Sequence, residues 1–152
     1  MESSVSRAVP CVVCDGTRTA SRYITPMLNA WARDSGYELF PGTLNVCAKS
    51  RLRLYAPFIA LDPWRGLMAL AARRNHPHFS PRLYPAEIKA NLESWVYRWS
   101  DEESLLCFVG GTDDCPPEAN LEIVSPVCLR KELGLKTGDT VSLRLNAAPC
   151  GS

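Results

Sequence analysis

The chain has 152 residues, of which 17 are basic and 16 acidic, for a net charge of +1. That length suits one domain with a core large enough to fold without staples, and the near-neutral charge supplies no basic face for nucleic acid or an anionic membrane. No apolar run reaches the ~18 residues that cross a bilayer, and the polar start Met1-Glu2-Ser3-Ser4-Val5-Ser6-Arg7 lacks the apolar stretch of a signal peptide, so a cytoplasmic monomer is expected, without nucleic-acid or membrane partners.

Residues 9–13 are short and apolar and predict a first strand. They lead into Asp15, Gly16, Thr17, Arg18, Thr19, Ala20 and Ser21, a run of small, hydroxylated and basic side chains. Such a run lets a phosphate approach the backbone and meet hydroxyls and guanidinium groups; it reads equally as a solvated loop. It lacks the spacing of a Walker A loop. Residues 26–34 predict a helix, with Thr25 as cap, Pro26 at the first position and Gly36 at the end. Met27, Leu28 and Trp31 form its apolar stripe, which belongs to a core.

Phe40-Pro41-Gly42 then predicts a sharp turn, followed by a strand over residues 44–47. Alternation along that strand sends Leu44 and Val46 into the core and brings Thr43 and Asn45 out together. Two neutral side-chain oxygens can help hold a hydrated Mg²⁺; they can also be no more than the polar edge of a hairpin. Residues 51–55 alternate as a strand, and Asp62-Pro63 opens a short helix over residues 63–74. Residues 73–78 form a polar loop that includes His76 and His78. Strands are predicted from Leu83, over residues 95–99, over 105–109, and over 120–124, where Glu122 stands between Leu121 and Ile123. The 110–117 loop carries Thr112. A short helix is expected over residues 125–134, capped by Ser125, with Pro126 at its first position and Gly134 at its end. Its free first-turn amides suit an anion. A turn and a strand to Leu145 follow, then a loose tail from Asn146.

The seven cysteines are odd in number, and Cys47, Cys107 and Cys128 lie in apolar runs. Cys11 and Cys14 form a C-x-x-C without a second pair, so reduced thiols acting as small hydrophobes are expected rather than a zinc site. Many short strands with a few short helices imply a small barrel.

Three stretches together resemble the archaeal-type CTP-dependent riboflavin kinases. Gly16-x-Arg18-x-Ala20-x-x-Tyr23 is similar to that family's glycine-rich loop, with Arg18 and Ala20 in place of two glycines. Phe40-Pro41-Gly42-Thr43-Leu44-Asn45 matches its P-G-T-L-N motif. Leu121-Glu122-Ile123-Val124-Ser125-Pro126-Val127-Cys128-Leu129-Arg130, followed by Leu133-Gly134-Leu135-Lys136-x-Gly138-Asp139, resembles its L-E-I-I-A-P-V-N-L-R and L-G-L-K-D-G-D run, with Cys128 where the family has Asn. Tyr84-Pro85-Ala86-Glu87-Ile88 is also family-like.

The resemblance implies a mainly β, six-stranded cradle-loop barrel with a few short helices (α+β), spanning residues 1–152 as one riboflavin-kinase-like domain. It implies transfer of the CTP γ-phosphoryl to the riboflavin 5′-hydroxyl, giving FMN and CDP. Gly16, Thr17, Arg18, Thr19, Ala20 and Ser21, with Val127, Cys128, Leu129 and Arg130, would hold the nucleotide. Thr43 and Asn45 would ligate Mg²⁺, Thr112 and Glu122 would contact the flavin, and Glu122 would accept or orient the hydroxyl proton. The competing readings are a kinase of another small alcohol and a non-catalytic barrel that binds nucleotide or DNA.

Overall fold

The computed structural model describes residues 6–15, 21–61, 81–98 and 120–149, with the backbone alone for 21–27. The elements run β1 (Ser6–Cys14), α1 (Ser21–Ser35), β2 (Leu44–Ala48), β3 (Leu52–Leu54), β4 (Ile59–Ala60), β5 (Arg82–Pro85), β6 (Trp95–Arg98), β7 (Asn120–Val124), α2 (Leu129–Leu133) and β8 (Thr140–Pro149). The expected features at residues 16–20, 62–80 and 99–119, including Thr112 and the helix over 63–74, lie outside the described residues.

The strands form one antiparallel sheet in the order β3-β8-β1-β2-β7-β6-β5-β4. The described sheet therefore has eight strands rather than six, because β3 and β4 add short edges. Among the described residues no ladder closes it. The segment after β5 nevertheless returns to β8, where the Glu87 and Arg144 backbones exchange both N–H···O bonds at 2.8 Å. This single pair joins the two ends of the run β8-β1-β2-β7-β6-β5, which gives the sheet its barrel-like curl.

Strand alternation divides the side chains between two faces. Val9, Cys11 and Val13 of β1, Leu44 and Val46 of β2, Val96 of β6, Leu121 and Ile123 of β7, and Leu143 and Leu145 of β8 pack together in the main core. The opposite face of β5, β6 and β7 carries a second cluster, where Leu83, Trp95, Tyr97 and Val124 meet Leu28 and Trp31 of α1. Trp31 stacks on Tyr37 with ring centroids 5.5 Å apart, and Trp95 meets both edge-on at 5.3 Å. The expected apolar stripe of α1 is thus core at Leu28 and Trp31.

Four local expectations are corrected. The helix α1 begins at Ser21, so Thr25 is not its cap and Pro26 is inside it. A proline forgoes only its own intrahelical bond and crowds the turn before it, and here that turn still forms. The chain after Leu145 is not a loose tail: β8 continues to Pro149 because Ala147, Ala148 and Pro149 pair with Leu54, Arg53 and Leu52. The second helix starts at Leu129 with Cys128 at its N-cap, not at Ser125-Pro126. The Ser125 hydroxyl is engaged elsewhere, donating to the Glu93 carbonyl at 2.7 Å and accepting from the Val127 N–H at 3.4 Å, which makes a turn rather than a cap.

The fourth correction concerns cysteine. Cys47 is disulfide-bonded, whereas Cys11, Cys14 and Cys128 are free. An apolar run does not fix which face a strand residue occupies. Cys47 is on the face opposite the main core, between Val46 and Ala48 that enter it, so its sulfur is not sealed inside. Cys11 is fully buried, and burial pushes its thiol up to about 12, leaving it inert. Cys14 lies three residues on and so points to the other face.

The end of α2 follows the sequence reading. Gly134 adopts φ +63°, and the Leu135 N–H bonds the Arg130 carbonyl at 2.8 Å in a Schellman-type stop. Gly134→Ala is expected to cost about 1 kcal/mol, the usual penalty for an L side chain in the left-handed region. Chemical denaturation of both proteins measures it.

Candidate active site

The P-G-T-L-N turn is compact. The Gly42 N–H bonds the Phe40 carbonyl at 2.8 Å, and a Cβ at Gly42 would meet the Phe40 ring at 3.1 Å, so a larger residue there would have to push the ring aside by a few tenths of an ångström. From it β2 sends Leu44 and Val46 into the main core and Thr43 and Asn45 to the opposite face, as alternation requires.

Register then decides what Thr43 and Asn45 meet. Asn45 lies opposite Cys14 of β1 on one side and Glu122 of β7 on the other. Glu122 in turn lies opposite Tyr97 of β6. A row Cys14–Asn45–Glu122–Tyr97 therefore crosses four strands on one face. The Thr43 hydroxyl donates to Glu122 Oε1 at 3.2 Å, and Asn45 Nδ2 donates to Thr43 Oγ1 at 3.5 Å. Asn45 Oδ1 is buried without a hydrogen-bond partner among the described residues.

Glu122 is 7% exposed. Burial raises its carboxyl from the usual range to about 7, against the downward pull of the Thr43 hydrogen bond and the Arg98 charge. Desolvation dominates because the Thr43 bond is long and neutral. Arg98 donates to the Asn120 carbonyl rather than to the carboxylate itself. A carboxyl poised near neutrality can take up a proton at physiological pH.

Beside Thr43 a cavity of about 110 Å³ opens, walled by Phe40, Gly42, Ser125 and the turn Val127, Cys128, Leu129, Arg130. Phe40 stands at it with 40% of its surface exposed. Thus the P-G-T turn and the V-C-L-R turn, more than eighty residues apart in sequence, face one space. Arg130 also reaches the end of β1: its Nη2 donates to the Cys14 carbonyl at 3.3 Å, to Asp15 Oδ1 at 3.4 Å and to Thr137 Oγ1 at 3.3 Å. Asp15 directly precedes Gly16, so the V-C-L-R turn is tied to the root of the 16–21 stretch. Of that stretch, Ser21 is the first residue of α1, and Gly16, Thr17, Arg18, Thr19 and Ala20 lie outside the described residues.

The family model described as "Domain of unknown function DUF120", with the short name CTP-dep_RFKase, matches residues 13–145. The chain belongs to the CTP-dependent riboflavin kinase family. A riboflavin kinase of Methanocella arvoryzae is 32% identical to it over 110 residues, which are 72% of this chain and 42% of that protein. The chain thus spans less than half the length of that relative.

Two side chains of this family member were not singled out from sequence. Tyr97 and Asn120 are 2% and 1% exposed and flank Glu122, one across the strand pair and one two residues before it on β7. Parity with Glu122 places Asn120 on the same face, a signal the sequence did contain. Tyr97 needed the β6–β7 register, which no local pattern gives. Among the described residues no helix is long and apolar enough to cross a membrane.

Proposed function

We propose that the protein is a CTP-dependent riboflavin kinase, transferring the γ-phosphoryl of CTP to the riboflavin 5′-hydroxyl to give FMN and CDP. The observation that carries this reading is the convergence of Thr43, Asn45 and the buried Glu122 next to the cavity walled by Val127 to Arg130. The nucleotide occupies the V-C-L-R side, with Phe40 offering a ring face to its base. The acceptor hydroxyl comes to Glu122, which accepts or orients its proton. Like charges keep the phosphates off Glu122 itself, so the two substrates meet between the carboxylate and the cavity.

The donor set suits Mg²⁺. Asn45 Oδ1 is a buried oxygen without a partner among the described residues, and the other end of the same carboxamide, Nδ2, donates to Thr43 Oγ1. Both oxygens are hard, neutral ligands for a cation that keeps several waters. When bound there, Mg²⁺ supplies charge neutralisation to the phosphates. Asn45→Ala is expected to fold normally and to lose most turnover at low Mg²⁺; a rate near wild type there overturns the ligand assignment.

The deciding assay uses purified protein, Mg²⁺ and riboflavin with CTP or ATP in parallel, reading FMN by chromatography. FMN formed with CTP supports the reading. Absence of FMN with either nucleotide, with other small alcohols phosphorylated instead, overturns the acceptor.

A further inference from the structure

Buried polar side chains are normally paired, since an unmade bond costs roughly 1–3 kcal/mol. Ser94 and Ser125 follow this rule, donating to the Ala86 carbonyl at 2.6 Å and to the Glu93 carbonyl at 2.7 Å. Tyr97 and Asn120 do not. The Tyr97 hydroxyl and Asn120 Oδ1 are both buried and both without a partner among the described residues. Asn120 Nδ2 is engaged, donating to Cys14 Sγ at 3.5 Å, so the carboxamide is oriented and its oxygen is the open end. These two unmatched groups lie on the same sheet face, on two sides of Glu122. Packing does not require them: the Tyr97 ring would fill the second apolar cluster equally well as phenylalanine.

We infer that Tyr97 and Asn120 form a recognition pair for the hydroxyl-bearing chain of the acceptor, holding it beside Glu122. The chemistry selects the ligand class. Asn120 Oδ1 only accepts, and the phenol both donates and accepts. Burial and the neighbouring Glu122 charge push the phenol well above its ordinary range, so it keeps its proton. An acceptor oxygen, a neutral phenol and a carboxylate together disfavour an anion and suit a neutral polyol, whose hydroxyls serve each in turn. The inference rests on the riboflavin kinase reading and adds to it the residues that discriminate a ribityl chain from a bare flavin ring.

The test compares dissociation constants for riboflavin and for lumiflavin, which has the same ring system without the ribityl hydroxyls, by quenching of flavin fluorescence. Wild type is expected to prefer riboflavin. Tyr97→Phe is expected to weaken riboflavin about tenfold, the size of one or two lost neutral hydrogen bonds, with lumiflavin and CTP binding unchanged. Its ligand-free thermal stability should equal or exceed wild type, because an unpaired hydroxyl has been removed. Asn120→Leu, similar in size, should show the same selective loss. If Tyr97→Phe binds riboflavin as wild type does, or weakens both flavins alike, the recognition pair is overturned while the kinase reading stands. If wild type binds neither flavin and makes no FMN, the kinase reading falls and the pair with it.

Discussion

Glu122→Gln is expected to fold, to bind CDP with Mg²⁺ as wild type does, and to lose on the order of 10²–10⁴ in the rate of phosphoryl transfer, the range for removal of a general base. The substitution keeps the side chain's size and one acceptor oxygen, so the Thr43 hydroxyl can still donate to it. What it removes is the capacity to take a proton. The nucleotide side should be indifferent, because the cavity is walled by Val127 to Arg130 and Phe40, and Glu122 does not line it. Single-turnover transfer measured beside CDP binding by calorimetry separates the possibilities. Normal folding with lost CDP binding would assign Glu122 to the nucleotide side. An unchanged rate would make it a buried structural carboxyl and leave positioning and the metal to carry the chemistry.

The parts of this site legible in the sequence are those that depend on alternation within one strand. Leu44 and Val46 in the core, with Thr43 and Asn45 opposite, follow from a period of two. The same parity places Glu122 between two core residues, Leu121 and Ile123. The contact between Thr43 and Glu122 was not legible, because it depends on which strand lies next to β2 and in what register. A sheet ordered β1-β2-β7-β6 pairs residues about eighty positions apart, and no local pattern encodes that. The two terminus errors have a different origin. Thr25-Pro26 and Ser125-Pro126 have the same cap-and-proline signature, and neither opens a helix. In the second, the serine hydroxyl has a better partner in the Glu93 carbonyl, a tertiary contact that outweighs a cap. Gly36 and Gly134 were reliable because their positive φ values, 81° and 63°, are backbone requirements that tertiary packing does not relax.

The stability of the ligand-free protein should fall as pH rises, by about 3 kcal/mol in the limit through Glu122 alone. In the unfolded chain its carboxyl has the ordinary value of 4.5, and in the fold burial raises it to about 7. The folded state therefore binds the extra proton between these values, and each unit of difference is worth about 1.4 kcal/mol. The contribution is fully present below about pH 4.5 and is lost as pH rises through about 7, when the carboxylate must be charged inside the fold. Most of the change falls between roughly pH 5 and 8. Glutamine does not titrate, so Glu122→Gln should lack this component: its stability relative to wild type is expected to increase by 2–3 kcal/mol, about, from pH 5 to pH 8. Taking the difference between the two proteins cancels the titration of every distant group. Urea unfolding of both at the two pH values, in the presence of a chelator and without nucleotide, measures it. A difference that stays constant with pH would show that Glu122 titrates in the fold as it does in water, and would remove the basis for a base tuned to neutrality. The expected slope has a functional counterpart: the same burial that makes the ionised fold less stable above pH 7 is what keeps a proton-accepting carboxyl matched to neutral pH.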